Sequence, residues 1–247
     1  MRVLGVIPAR LGSTRLPHKP LQLLAGEPLI TRVVERVLDH GLIERLVVAT
    51  DSEEVARVVE RAGTPAVLTS GDHPSGIDRV AEVAARTEFD GFDTIVNIQG
   101  DEPFLPRQAL AGALARVGQG DEIGTAAAPL DSAGARDPSR VKVVTDLSGR
   151  ALYFSRAMIP HHRESRDGEG YWQHLGIYAC TRAALVRWVR LPPSPLEQLE
   201  RLEQLRALQS GMAIGVAFLD EAARPGIDTV DDLRRAETHW HAYQGQV

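Results

Sequence analysis

Cysteine is nearly absent from this 247-residue sequence, where Cys180 stands alone. No intrachain disulfide can form, which suits a reducing compartment. Lysine is almost as scarce. Lys19 and Lys142 are the only lysines among 28 basic residues, so arginine carries nearly all the positive charge. Long hydrophobic runs are missing as well. No stretch approaches the roughly 18 apolar residues of a membrane span. The apolar segment Val3–Ala9 is broken by Pro8 and runs into Arg10, unlike the core of a signal peptide. These absences point to a cytoplasmic protein. A broad basic face is lacking too, since the net charge is −5 and the pI about 5.9. Extended nucleic-acid binding is therefore disfavoured, because a phosphate backbone calls for a basic surface. Repeats and low-complexity tracts are absent. With 43% hydrophobic residues the chain can bury a substantial core, which excludes disordered and fibrous classes.

What is present is an alternation of short apolar runs and amphipathic segments. Arg2–Ala9, Leu46–Ala49, Ala66–Thr69 and Thr94–Ile98 read as strands. Between them, Pro28–His40 has apolar residues near helical spacing, Asp51 with Glu54 resembles a capping box, and Ile77–Arg86 reads as a further helix. The repeated β-α-β pattern predicts a mostly parallel sheet with helices on both faces, and ligands beyond its carboxyl ends. The second half is less regular. Val141–Thr145, Ala151–Phe154, His174–Ala179 and Ile214–Phe218 resemble strands of a mixed sheet. Arg163–Gly170 reads as a polar loop, Pro195–Gln209 as one long helix, and a closing helix starts near Thr229.

Several clusters carry chemistry. The loop after the first strand holds Arg10, Arg15 and Lys19 with Gly12, Ser13 and Thr14. Three cations, a glycine that admits close backbone approach and two hydroxyls suit a triphosphate, although the P-loop ending is missing. A solvated basic turn is the plain alternative. Asp101, in Asn97-Ile98-Gln99-Gly100-Asp101-Glu102-Pro103, follows a strand and would project at the sheet's edge. A hard cation such as Mg²⁺ takes carboxylate and phosphate oxygens together, but a cap on a helix near Pro106 explains Asp101 equally well. Thr229 and Asp232 form a plausible helix start. Asp228, just before them, is a second metal candidate for which capping is the stronger reading from the residues alone.

Ser75-Gly76 precedes a helix and would expose backbone N–H groups to a base edge or an anion, with Arg79 one turn on. A surface ion pair accounts equally for Arg79. Arg156 suits a bidentate grip on a carboxylate. His174 and Tyr178 share a face of one strand, and Glu203-Gln204 lie on a leucine-rich helix, where a solvated face is the default. His161-His162 and His239/His241 lack the spacing of a zinc site.

The blocks NIQGDEP, LYFSRA, HLGIY and SPLE…LEQLR, spread along nearly the whole chain, resemble the 3-deoxy-manno-octulosonate (Kdo) cytidylyltransferases, also called CMP-Kdo synthetases. The resemblance implies an α/β, Rossmann-like nucleotidyltransferase fold with a mostly parallel central sheet and a smaller mixed α/β dimerisation subdomain. It implies one nucleotidyltransferase domain over residues 1–247, with a dimerisation and sugar-binding portion at roughly 130–195. CMP would pass from CTP to Kdo for lipopolysaccharide biosynthesis, in a homodimer that uses neither nucleic acid nor membrane. Arg10, Lys19 and Asp101 would be catalytic. Ala9, Arg10, Lys19, Ser75, Gly76 and Asp101 would bind CTP, and Asp101 and Asp228 would ligate Mg²⁺. Arg79, Gln99, Arg156, His174, Tyr178 and Gln204 would bind the sugar acid. Two positions depart from the family pattern. Ile77 stands where threonine is usual, and His161-His162 replace an aromatic-aspartate pair. A cytidylyltransferase for 8-amino-Kdo or sialic acid, or a non-catalytic nucleotide-binding relative, are the alternatives.

Overall fold

A computed structural model describes residues 1–13, 15–163 and 170–244, without the side chains of 243 and 244. Thr14, and most of the loop expected at Arg163–Gly170, lie outside the described residues. The chain divides into two compact units, Met1–Arg107 with Arg224–Val247, and Gln108–Ala223.

The first unit starts with β1 (Val3–Ala9), whose almost continuous burial is that of a strand covered on both faces. A small hairpin of β2 (Leu23–Leu24) and β3 (Glu27–Pro28) leads into α1 (Leu29–Asp39). Leu29, Ile30, Val33, Val34 and Val37 bury one face of α1, as the periodicity predicts. Then come β4 (Arg45–Thr50), α2 (Glu53–Arg61), β5 (Ala66–Leu68), α3 (Gly76–Ala84) and β6 (Thr94–Asn97). β1 lies between β4 and β6, and β5 flanks β4, with all of these pairs parallel. The cap of α2 is Ser52, not Asp51. Ser52 Oγ accepts from Val55 N at 3.3 Å, while the Asp51 carboxylate turns to Arg79.

The second unit opens with α4 (Arg107–Gly118) and β7 (Ile123–Leu130), then α5 (Ser132–Arg136), β8 (Lys142–Thr145), β9 (Ala151–Ser155), β10 (Tyr171–Thr181) and α6 (Arg182–Arg190). β10 runs antiparallel to β7 and β8, β8 antiparallel to β9, and β11 (Ile214–Phe218) parallel to β7. The expected long helix is two: α7 (Pro195–Glu200) and α8 (Gln204–Gln209). Arg201 breaks it by adopting the left-handed conformation at φ 55°. α7 starts with a capping box in which Ser194 and Glu197 bond each other's backbone N–H. The chain returns to the first unit with α9 (Val230–Gln244). Among the described residues no helix is long and apolar enough to cross a membrane.

Two buried imidazoles tie this core to pH. His40 follows α1 with neither ring nitrogen hydrogen-bonded. Burial, then the charges of Arg36 and Arg107, push its pKa down to about 4 from 6.5. Burial pushes His174 down to about 3. Both rings are neutral in the folded chain, so below pH 6.5 the unfolded state binds more protons. Stability is full at neutral pH and drains away as pH falls toward these folded-state values. Urea unfolding is expected to show a loss of about 2 kcal/mol per histidine between pH 7 and pH 5. His40→Gln should remove its share of that slope, and an unchanged slope in this variant contradicts the account.

Candidate active site

Because β1, β4, β5 and β6 are parallel, the loops that follow them leave the same edge of the first unit's sheet. The chain runs from β1 to β4 on one side, and later β6 is added on the other. The loops after β1 and β6 therefore diverge, which opens a crevice at the carboxyl ends. A cavity of about 420 Å³ lies there. Arg10, Lys19, Ser75, Arg79, Gln99, Asp101 and Asp228 line it, together with Ala9 and Gly76. Every CTP, metal and first-unit sugar candidate named from the sequence thus meets in one place.

The centre of the cavity is ionic. Lys19, in a tight turn, donates to Asp101 Oδ2 and, at 2.8 Å, to Asp228 Oδ1. Burial alone would lower the Lys19 pKa, but attraction to and hydrogen bonds with Asp101 and then Asp228 outweigh it, and the net shift is upward. The ammonium therefore stays charged. Arg15 reaches Asp228 Oδ1 at 3.0 Å from a solvated position. Asp228 is not the cap of α9. Asp232 Oδ2 accepts from the backbone N–H of Thr229 at 2.8 Å and of Asp228 at 3.2 Å, which leaves the Asp228 carboxylate for the cavity. Asp101 likewise faces Lys19 instead of capping α4.

Beside this cluster the half-buried Glu102 has its carboxyl pushed up to about 8, by burial first and then by the charges of Asp101 and Asp228. Sequence reasoning did not single out this third acid. Two convergent carboxylates suit a hard divalent cation whose other ligands are phosphate and water. Among the described residues no group of three or more His, Cys, Asp or Glu could hold a metal ion by itself.

The start of α3 forms the opposite wall. Ser75 Oγ donates to Asp78 Oδ2 at 2.6 Å, and the first turn of α3 leaves N–H groups for a ligand. Arg79 is buried, not a surface residue, and donates to Thr69 Oγ1 and, at 3.1 Å, to Asp51 Oδ2. The imidazole of His73, which sequence reasoning passed over, lines the same wall and bonds Glu82 Oε2 at 2.5 Å. The nine-residue separation of this pair follows no helical or strand spacing that a sequence search would flag. Arg10 and Gln99 line the cavity, and Arg10 forms no ion pair with the described residues.

The other sugar candidates lie in the second unit. The rings of His174 and Tyr178 meet at 5.4 Å, on one strand as expected. His174 Nε2 contacts Thr125 Oγ1 at 2.9 Å. The Tyr178 hydroxyl has its pKa raised by burial and then by Glu203. Gln204 is buried at the start of α8. Arg156 donates to the carbonyls of Glu200, Pro138 and Arg201. Of the departures from the family pattern, Ile77 is buried in α3 and His162 stacks on Tyr171 with ring centroids 4.7 Å apart.

The sequence was compared with known proteins. The family model "Cytidylyltransferase" matches residues 4–214. A 3-deoxy-manno-octulosonate cytidylyltransferase of Gemmatimonas aurantiaca is 55% identical over 97% of this chain and 95% of its own length. The protein of the same name from Methylococcus capsulatus is 47% identical over 95% of each chain. Among solved structures, CMP:2-keto-3-deoxy-manno-octonic acid synthetase complexed with CTP superposes with a TM-score of 0.90 at 37% identity, over 98% of this chain and 99% of that one.

The segment that carries Asp228 is held by close packing. Ile227 N donates to Asp101 O at 2.9 Å, and a Cβ on Gly226 would lie 2.8 Å from Glu102 Oε1 and 3.2 Å from Asp101 O. Gly226→Ala would turn the Glu102 carboxyl aside and press the Asp101 carbonyl by a few tenths of an ångström, which disturbs the Asp228 strap. A loss of nucleotide turnover of about tenfold is expected, with a stability cost of about 1 kcal/mol. Kinetics and thermal melts measure both, and wild-type turnover in this variant contradicts the packing argument.

Proposed function

The chain belongs to the cytidylyltransferase family, and from that membership and the cavity's chemistry we infer that it transfers CMP from CTP to 3-deoxy-manno-octulosonate, with release of pyrophosphate. The observation that carries this reading is the Lys19 ammonium between Asp101 and Asp228, in a cavity whose other charged groups are mostly arginines. In this reaction the anomeric hydroxyl of the sugar acid attacks the α-phosphorus of CTP, and pyrophosphate leaves in line. Such a displacement needs positioning and charge neutralisation more than covalent help.

Arg10, whose guanidinium has no ion-pair partner among the described residues, and Lys19 neutralise the triphosphate and the departing pyrophosphate. Backbone groups of Ala9, Ser75 and Gly76 frame the nucleoside. Arg79, held by Asp51 and Thr69, and Gln99 are assigned to the acceptor from the cavity lining, and the family resemblance assigns Arg156, His174, Tyr178 and Gln204 to it as well. Asp101 and Asp228 would hold Mg²⁺, which would supply Lewis acidity. No side chain is assigned as a general base.

We further propose a homodimer in the cytoplasm. The β8–β9 hairpin offers fully exposed Leu147 at its tip and Leu152 on β9, apolar surface that a second copy would cover. Leu147→Asp combined with Leu152→Asp should shift the sedimentation coefficient to that of a monomer, and an unchanged value places the interface elsewhere.

Pyrophosphate release tests the reaction. CTP with Kdo and Mg²⁺ should outrun UTP, and Kdo should outrun 8-amino-Kdo and sialic acid. Asp101→Asn should lower kcat by at least about 10²-fold, with its melting temperature little changed. Full activity in Asp101→Asn refutes the metal assignment.

A further inference from the structure

Lys142, the second lysine of the chain, opens β8 and is completely buried. It forms no ion pair with the described residues. Its three ammonium protons meet three main-chain carbonyls instead: Arg156 O at 2.6 Å, Arg140 O at 2.7 Å and Asp137 O at 3.1 Å. Burial lowers its pKa, against a partial pull from Asp137. A buried cation with no carboxylate in ion-pair contact is costly even with Asp137 and Glu200 attracting it from farther off, and an apolar chain of the same length would fill the space without that cost. Packing therefore does not explain the residue, and its contacts do.

Those contacts converge on Arg156. The ammonium clamps the Arg156 carbonyl to the 137–140 turn, and Pro138 O in that turn accepts from Arg156 Nη1 at 3.0 Å. From the other side, Glu200 accepts from the Arg156 backbone N–H at 2.9 Å, Glu200 O takes Nε at 2.8 Å, and Arg201 O takes Nη2 at 3.4 Å. A guanidinium has five N–H donors. These three carbonyls take one donor each from Nε, Nη1 and Nη2 and leave one N–H on each Nη nitrogen for a ligand.

We propose that Lys142 is a positioning residue for recognition of the sugar acid's carboxylate, acting by fixing the main chain and guanidinium plane of Arg156. The proposal rests on the assignment of Arg156 to the acceptor site. The ammonium itself never meets the substrate.

Steady-state kinetics on Lys142→Met, Arg156→Ala and the double variant, with thermal melts, test it. Lys142→Met should raise KM for Kdo about tenfold or more, leave KM for CTP within about twofold, and add nothing on top of Arg156→Ala. Equal changes in both KM values, or a double variant whose effect is the product of the singles, would mean a merely structural role and overturn the proposal. If Lys142→Met does not fold, Glu200→Gln loosens the same arginine from the opposite side and should give the same selective rise in KM for Kdo. An unchanged value there, with a raised one in Arg156→Ala, also overturns it. If Arg156→Ala itself leaves KM for Kdo unchanged, the acceptor-site assignment falls and takes the proposal with it.

Discussion

An ammonium between two carboxylates at hydrogen-bond distance is stable only if the backbone brings three distant segments together and keeps them there. Lys19, Asp101 and Asp228 are contributed by the loop after β1, the loop after β6 and the strap before α9. Remove the cation and two carboxylates face each other in a partly desolvated crevice, where like charges disfavour joint ionisation. The Glu102 carboxyl beside them is pushed up by burial first and then by the charges of Asp101 and Asp228.

The parallel sheet of the first unit is what makes such convergence affordable. Parallel pairing of β1 with β4 and β6 in register sends their loops out of one edge, and the reversal of strand order at β1 leaves a gap between the loops. Close backbone approaches complete the geometry. A Cβ on Gly100 would lie 3.1 Å from Pro8 O, so glycine there lets the Asp101 loop lie against the end of β1. Asp232 satisfies the N–H groups ahead of α9, and so frees Asp228 for the cavity.

Much of this was legible in the sequence because it rests on local rules. The apolar runs of β1, β4 and β6 and the stripe of α1 are period signals, and the Thr229/Asp232 start of α9 is a capping signal. The elements that escaped notice have weaker signals. β7 reads IGTAAAPL, in which small residues replace the β-branched ones that announce a strand. The leucines of 195–209 keep a helical period through a break that depends on one left-handed residue, Arg201, which no propensity marks. Asp51 and Ser52 both resemble caps, and only the position of Arg79 decides between them. That neither Asp101 nor Asp228 serves as a helix cap was likewise illegible locally, because each carboxylate turns to Lys19, 82 and 209 residues away.

The scarcity of lysine acquires a physical meaning at this point. Arginine serves almost everywhere in this chain, pairing with Asp51, Asp121 and Glu197 and spanning helix ends. Its planar fork suits carboxylates approached side-on and carbonyls arranged in one plane. Lys19 must instead fit between two carboxylates that converge on one point, and Lys142 must meet three carbonyls around one nitrogen. Both tasks call for a compact charge with donors directed to three sides, which a guanidinium cannot supply. Whatever keeps lysine rare elsewhere in the sequence, the two that remain occupy the two places where arginine's geometry fails.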